Sequence, residues 1–348
     1  MVPTIKSVAK RAGVSTATVS RVINEQGYIR PTTAERVRKA IAELNFRPNI
    51  IGRSLKTART RSIGVMIPTL ANPVFADAVA GIQDAAKTAG YTIIITATDY
   101  CSDSEFASVH TMLSNRVEGL ILTVAEAENN RLLDQLDAEG IRYVLLYNQP
   151  CSRGRSTITV DNVAAARLAA EQFIAFGHRR IGMITGDPTA SDRAAARRSG
   201  FIAALGDAGI HDPPIVEVDF MNMALSAELR NLFSAPLAPT AVFCSNDALA
   251  IAVIGLLRGL GKKVPNDVSI IGFDGISVGE LIEPSLATIE QPSREMGVAA
   301  VQHLLDRLSG DASQQAKILP HRLRPGGTAG PVSPTATSTP ARIRHQTV

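Results

Sequence analysis

Residues 4–24, TIKSVAKRAGVSTATVSRVIN, leave little freedom in how the start of this chain can fold. Ile5, Val8, Ala9 and Ala12 recur on one helical face. Gly13 follows where a tight turn needs a left-handed backbone, a conformation that costs glycine least. Ser15 stands where a second helix needs an N-cap, and Val19, Val22 and Ile23 give that helix a packing stripe. Thr16, Ala17, Ser20 and Arg21 are left on its outer side, near its start. Short side chains and one long donor there are what a helix needs to reach base edges in the major groove of DNA. The pattern predicts a helix-turn-helix; the blander alternative is a small surface hairpin of helices. Val37, Ala40, Ile41 and Leu44 predict a third helix over 32–45.

Charge separates the two alternatives. Residues 1–61 hold 13 lysines and arginines against 3 acids, whereas residues 62–348 hold 23 against 29. A chain of net charge +4 therefore carries a strongly basic head on an acidic body, as expected when one small part meets a phosphate backbone. A basic surface kept for solubility would not be segregated in this way.

The segment AGVSTATVSRVIN resembles the DNA-binding head of the LacI/GalR family of bacterial transcription regulators. It departs from the family at Ser7, where an acidic residue is common. The resemblance implies that Thr16 and Ala17 occupy positions that vary with operator sequence. It makes Arg21 the reader of a guanine, whose O6 and N7 suit a bidentate guanidinium, with Ser20 beside it on the reading face. It places Ser15, Thr18 and Asn24 on phosphates, which position a head without specifying sequence. Pro48 then breaks the third helix. The stretch that follows, with Arg53, Lys56, Arg59 and Arg61, is similar to the family's hinge helix, in which a leucine wedges into the central minor groove. Leu55 matches the wedge and Arg53 is a DNA contact beside it; Gly52 stands where the family usually has alanine, at a cost to helix formation of about 1 kcal/mol.

The remaining residues exceed one ordinary domain. From Ser62, short β-branched runs at 63–67, 91–96, 119–123, 143–147, 156–160, 180–185, 215–218, 241–244 and 268–273 alternate with amphipathic helices such as 76–89, 163–176, 193–208, 247–260 and 298–308. This rhythm predicts parallel sheets covered on both faces. The fold expected is an all-α helix-turn-helix head plus an α/β body of two doubly wound parallel-sheet subdomains. By resemblance the body is like periplasmic sugar-binding proteins, with three crossings between lobes near Asp161, Gln291 and Leu323. The expected organisation is a head at 1–47, a hinge at 48–61 and a ligand-binding and dimerisation body at 62–325. Lobe 1 then covers about 62–160 and 292–322, and lobe 2 about 161–291. The Pro-, Gly-, Ser- and Thr-rich segment 326–348 is expected to be a disordered tail.

Ligands of open parallel sheets bind outside the carboxyl ends of strands, and here those positions are polar. The resemblance makes Arg197, Asp274 and Asn246 ligand contacts, although the family more often follows Asp274 with another acid or asparagine than with Gly275. Thr69, Phe75, Asn148, Asp161, Arg193 and Phe220 are candidates from their places after strands. Such a cleft suits a small hydroxyl-rich or carboxylated molecule. Sugars and sugar acids come first, purines have precedent in the family, and two arginines tilt the choice towards an anion. His178 in FGHRRIG is expected to be structural.

An enzyme is the rival class. Gly275, Ser277 and Gly279 fit G-x-S-x-G, with Asp306 and His321 following in the order of an α/β-hydrolase. A nucleophile elbow needs the strand to run straight into the serine, and here an Asp-Gly loop intervenes, so no catalytic residue is expected. No phosphate-binding loop, zinc-protease motif or paired cysteine spacing is present, and neither a cofactor nor a metal is expected. Cys101, Cys151 and Cys244 read as separate reduced thiols. The start of the chain lacks an apolar leader and its longest apolar stretch is about half a membrane span. A cytoplasmic protein without membrane contact is expected. No leucine heptad occurs near the C-terminus, so a homodimer on a pseudo-palindromic double-stranded DNA operator is expected. Repression under the control of a small effector is the default; a corepressor-dependent repressor or an activator would have the same architecture.

Overall fold

In the computed structural model, residues 3–23, 27–46, 60–219, 227–310 and 315–333 are described. The chain divides into two units, Met1–Thr60 and Arg61–Val348. In the first, α1 (Ile5–Ala12), α2 (Thr16–Ile23) and α3 (Pro31–Glu43) pack around Val8, Val19 and Val37, all wholly buried. Gly13 ends α1 at φ +64°, the left-handed turn its position requires. Ser7 closes a capping box with Thr4: the Thr4 N–H donates to Ser7 Oγ at 2.8 Å, and the Ser7 N–H to Thr4 Oγ1 at 3.3 Å. The serine thus does the capping work available to an acid at that position. Arg11 meets Glu43 at 2.6 Å and ties α1 to the end of α3.

The second unit contains two six-stranded sheets. The first is built from β1 (Ser62–Ile67), α4 (Pro73–Thr88), β2 (Thr92–Ala97), α5 (Ser102–Ser114), β3 (Gly119–Leu122), α6 (Arg131–Ala138), β4 (Tyr143–Leu146) and β5 (Thr157–Val160). The second uses α7 (Asn162–Ala175), β6 (Ile181–Gly186), α8 (Asp192–Asp207), β7 (Ile215–Val218), α9 (Ala227–Ser234), β8 (Ala241–Cys244), α10 (Asp247–Gly259), β9 (Ser269–Asp274), α11 (Val278–Leu281) and β10 (Ala287–Glu290). The chain then returns through α12 (Ser293–Ser309) to β11 (Ala316–Leu319) in the first sheet and ends with β12 (Arg322–Arg324) in the second. The strand orders are β11-β5-β4-β3-β1-β2 and β12-β10-β9-β8-β6-β7. Both sheets reverse direction at their first strand, so the crevices beside β1 and β6 are the binding positions of this topology.

All pairings of the first sheet are parallel; the second departs from expectation at β12, which runs antiparallel to β10. The third crossing falls between Leu319 and Arg322, so Leu323 already belongs to the second sheet. Strands β3, β4 and β8 are buried along their whole length, which is why they read as unbroken apolar runs. Strands β10, β11 and β12 have four residues or fewer and mix charged with apolar side chains, too little pattern for periodicity to register.

Helices α4 and α12 cross at two glycines. A Cβ on Gly297 would lie 2.1 Å from the Ala78 carbonyl oxygen, and one on Gly81 equally close to that of Arg294. Two backbones in contact cannot yield as a side chain can. Gly297→Ala is therefore expected to destabilise the body by about 1–3 kcal/mol or more; a urea unfolding midpoint unchanged from wild type would contradict this packing.

The expectation of disorder from residue 326 is corrected for 326–333. The Thr328 hydroxyl donates to the Ile270 carbonyl at 2.9 Å and accepts from the Ala287 N–H at 2.9 Å, and the Ile270 N–H donates to the Thr328 carbonyl at 2.8 Å. His178 braces the same segment, with Nε2 3.0 Å from the Gly330 carbonyl and Nδ1 2.9 Å from Thr240 Oγ1. Composition poor in apolar groups rules out a core of its own, not docking of its backbone on a sheet. Residues 334–348 lie outside the described residues.

Candidate functional site

On the head, Ser15 caps α2: its Oγ accepts the Thr18 N–H at 3.1 Å and lies 3.0 Å from Thr18 Oγ1. Val19 and Val22 turn inward. Thr16, Ala17 and Arg21 are exposed, with Ser20 and Thr18 half-buried beside them. One face of α2 thus holds the core and the other offers the side chains singled out from sequence. Asn24, Arg53 and Leu55 lie outside the described residues.

In the body, a cavity opens where the carboxyl ends of the two sheets face each other. Phe75, Arg193, Arg197, Asn246 and Asp274 line it. Asn72, Tyr100, Tyr147, Ser191 and Gln291 line it too. Three of the lining residues are helix N-caps. Asn72 Oδ1 accepts the Val74 N–H at 3.2 Å, Ser191 Oγ the Ala194 N–H at 3.3 Å, and Asn246 Oδ1 the Leu249 N–H at 2.7 Å. Capping fixes each oxygen, so Asn72 and Asn246 turn their amide nitrogens, not their oxygens, to other partners.

Asp274 is the centre of the site. It is 5% exposed, accepts from Asn72 Nδ2 at 3.2 Å and from Gln291 Nε2 at 2.8 Å, and stands 3.8 Å from Arg197 Nη1. Asn72 comes from the first lobe and Gln291 from the segment after β10 that crosses between lobes, so the Asn72 bond ties the lobes together. The Arg197 guanidinium lies over the face of Phe273, its Cζ 3.5 Å from the ring centroid. Its Nε donates to Asn162 Oδ1 at 2.8 Å and its Nη1 to the Ser245 carbonyl at 2.6 Å. Burial lowers its pKa to about 10, so it remains charged at neutral pH. Arg193 donates to the Val124 carbonyl at 3.0 Å and meets Asp192 at 3.3 Å. Each arginine therefore has a carboxylate within 4 Å, Asp274 for Arg197 and Asp192 for Arg193. Gln291 Oε1 is buried without a hydrogen-bond partner, an acceptor facing a site otherwise rich in donors.

The cavity measures about 30 Å³, room for about two water molecules. A second set of bonds joins the two lobes. The Asp192 N–H donates to the Ala125 carbonyl at 2.8 Å, and the Asp192 carboxylate accepts from Asn148 Nδ2 at 2.8 Å and the Gln149 N–H at 3.2 Å.

Three sequence candidates are placed elsewhere. Thr69 Oγ1 accepts the Ala71 N–H within its own loop at 3.1 Å. Asn148 is fully buried, bonded to both polar groups of the Val124 backbone as well as to Asp192. Asp161 is exposed and caps α7 through the Ala164 N–H at 2.9 Å. Phe220 lies outside the described residues. Of the residues missed, Tyr100 and Tyr147 follow β2 and β4 at φ +59° and +70°. Tyr147 is turned inward against Phe75, with centroids 5.5 Å apart. Gln291 follows β10, a strand too short to be recognised. Among the described residues no group of acids, histidines and cysteines could hold a metal ion.

Burial, reinforced by the charge of Asp274, pushes the Asp247 carboxyl up to about 7. Burial raises Asp274 to about 6 against the pull of Arg197. An unfolded aspartate titrates near 3.9, so between about pH 4 and pH 7 the folded chain holds more protons at these sites than the unfolded chain. Their contribution to stability falls as pH rises through that window. Urea unfolding of wild type is expected to lose stability relative to Asp247→Asn from pH 5 to pH 8; parallel pH profiles would contradict it.

Residues 4–49 match the family described as bacterial regulatory proteins, lacI family, and residues 170–329 the periplasmic binding protein-like domain. The HTH-type transcriptional repressor PurR of Aliivibrio salmonicida (strain LFI1238) is 36% identical over 310 residues, 88% of this chain and 92% of that one. The chain belongs to the LacI family. Among solved structures, the Lac repressor dimer bound to operator and the anti-inducer ONPF is similar with a TM-score of 0.84 and 27% identity, over 95% of this chain and all of that one. A periplasmic binding protein/LacI transcriptional regulator from Alkaliphilus metalliredigens QYMF, complexed with D-xylulofuranose, matches with a TM-score of 0.69 and 26% identity, over 77% of this chain and 99% of that one. No described helix of this LacI-family chain is long and apolar enough to cross a membrane.

Proposed function

We propose that the chain is a transcriptional repressor that binds a pseudo-palindromic double-stranded DNA operator as a homodimer, and that a small neutral polyhydroxylated effector, a pentose-sized sugar, controls it from the cleft. The observation that carries the effector reading is the Asp274 cluster, in which Asn72, Gln291 and Arg197 converge on one buried carboxylate from both lobes. A sugar hydroxyl both donates and accepts. It can replace the amide donors on Asp274 and donate a hydrogen bond to Gln291 Oε1 without adding charge, whereas an anion would face Asp274 across a desolvated site. The D-xylulofuranose complex of the similar regulator supports a neutral sugar as the effector class.

Closure is the switch. A ligand shifts operator affinity only as far as it binds one lobe arrangement better than another. Thr16, Ala17, Ser20 and Arg21 read bases, Ser15, Thr18 and Asn24 hold phosphates, and Arg53 and Leu55 act at the minor groove. The apolar side chains of Leu281, 84% exposed, and Val278 offer surface for a second copy to cover. The chain acts in the cytoplasm, where operators are, and is not an enzyme. Ser277 follows the turn after β9, Asp306 is exposed on α12 against the other sheet, and His321 sits on the link between sheets. Their dispersal leaves no triad. Isothermal titration of the full chain with D-ribose, D-xylulose, their acids and hypoxanthine is expected to give heat with a neutral pentose and none with the acids; binding of only an acid or a purine would overturn the effector class.

A further inference from the structure

Asp247 is the most deeply buried carboxylate near the cleft, at 0% exposure, yet it does not line the cavity. All of its bonds hold the backbone and strand behind Asp274. Its Oδ2 accepts from the Gly275 N–H at 2.8 Å and from the Ile276 N–H at 2.9 Å, and its Oδ1 accepts from the Thr288 hydroxyl at 2.6 Å. The turn it holds is under strain. Asp274 has φ +120° and Gly275 φ +80°, the first in a region that an L-residue rarely adopts and keeps only when its surroundings impose it. Strand β9 also makes room for the carboxylate: a Cβ on Gly272 would lie 2.1 Å from Asp247 Oδ1.

We infer that Asp247 is a positioning residue for effector recognition, its carboxylate holding the strained Asp274–Ile276 turn so that Asp274 is aimed into the cleft. The inference rests on the proposal that a neutral sugar binds at Asp274. Two N–H donors converge on one oxygen of a side chain fixed at the start of α10, and Thr288 of β10 anchors the other oxygen. The turn is thereby tied to two elements besides its own strand, and loss of the acceptor frees it to relax towards ordinary backbone angles.

The test uses the full chain with Asp247→Ala, Asp247→Asn and Thr288→Val. Asparagine keeps one oxygen for the two N–H groups and can donate to Thr288, whereas alanine removes every acceptor. D-ribose and D-xylulose serve as probes in calorimetry, and hydrogen exchange by NMR reports the turn without any ligand. Asp247→Ala is expected to weaken the bound pentose at least about tenfold and to accelerate exchange of the Gly275 and Ile276 amides about tenfold, with Ile270 and Ile271 unchanged. Asp247→Asn is expected to stay within about threefold of wild type in both readouts, and Thr288→Val to fall between the two. Equal losses for asparagine and alanine, or amide protection at Gly275 and Ile276 unchanged in Asp247→Ala, would overturn the inference. If wild type takes neither pentose, the effector reading fails, while amide exchange still decides the role of Asp247.

Discussion

Arg197→Ala is expected to cost about 3–5 kcal/mol of folding stability, the magnitude that follows from removing one partner of a buried ion pair, and to abolish the response to effector. The guanidinium is 8% exposed, stacked on Phe273, and bonded to Asn162 Oδ1 and the Ser245 carbonyl. Its loss leaves both acceptors without that donor and Asp274 without the guanidinium that stands 3.8 Å away. The Asp274 carboxyl, already raised to about 6, then titrates still higher, and the charge on which the cluster depends disappears at neutral pH. Arg197→Lys is not a rescue, because a point charge cannot stack on the ring and fork to two acceptors together. Urea unfolding of the three proteins, with pentose calorimetry beside it, checks both halves. A loss below about 1 kcal/mol would mean that Arg197 is not the keystone of the cleft.

The second large effect is on DNA. Arg21→Ala is expected to weaken the best operator by about 1–3 kcal/mol, the range of one good bidentate base contact, and to relax preference at a single base pair in each half-site. The side chain is exposed on the outer face of α2 and the core lies on the opposite face, so stability should be unchanged. Thr16 and Ala17 are expected to behave differently, with substitutions altering which operator is preferred more than how tightly it binds. Anisotropy titrations against an operator selected from a random palindromic pool, and against its single-base variants, separate the two patterns. Uniform weakening on every sequence would reduce Arg21 to a phosphate contact.

Much of this was legible in the chain. Gly13, Ser15 and the stripe of Val19 and Val22 set the turn, the cap and the packing face of the head through local rules alone. The same holds for the long strands of the body, whose central members are buried on both faces. Arg197, Asn246 and Asp274, which line the cavity, stand in the motifs that carry the family resemblance. Gln291 and Tyr147 were missed, for different reasons. Gln291 depends on a four-residue strand without an apolar run, and Tyr147 looked like the last residue of a strand until its left-handed backbone turned it inward. Thr69, Asn148 and Asp161 show the converse: position after a strand brings a polar group near the cleft, but a nearby unpaired backbone group can claim it first. Asp192 gives no local signal, because the partners that tie it across the cleft, Ala125, Asn148 and Gln149, lie in loops more than 40 residues away. The docking of 326–333 escaped notice because it rests on backbone hydrogen bonds, which composition does not encode.

The central claim is that a neutral polyhydroxylated molecule in the Asp274 cleft sets the affinity of the head for DNA. Its most direct test is the operator affinity of the full chain, by anisotropy, with and without each neutral pentose and its acid. The account predicts that a neutral pentose changes operator Kd by at least about fivefold, the lower end of typical allosteric coupling, that its acid does not, and that Arg197→Ala removes the change. An operator affinity indifferent to every neutral pentose, or one that moves only with the acids, would contradict it.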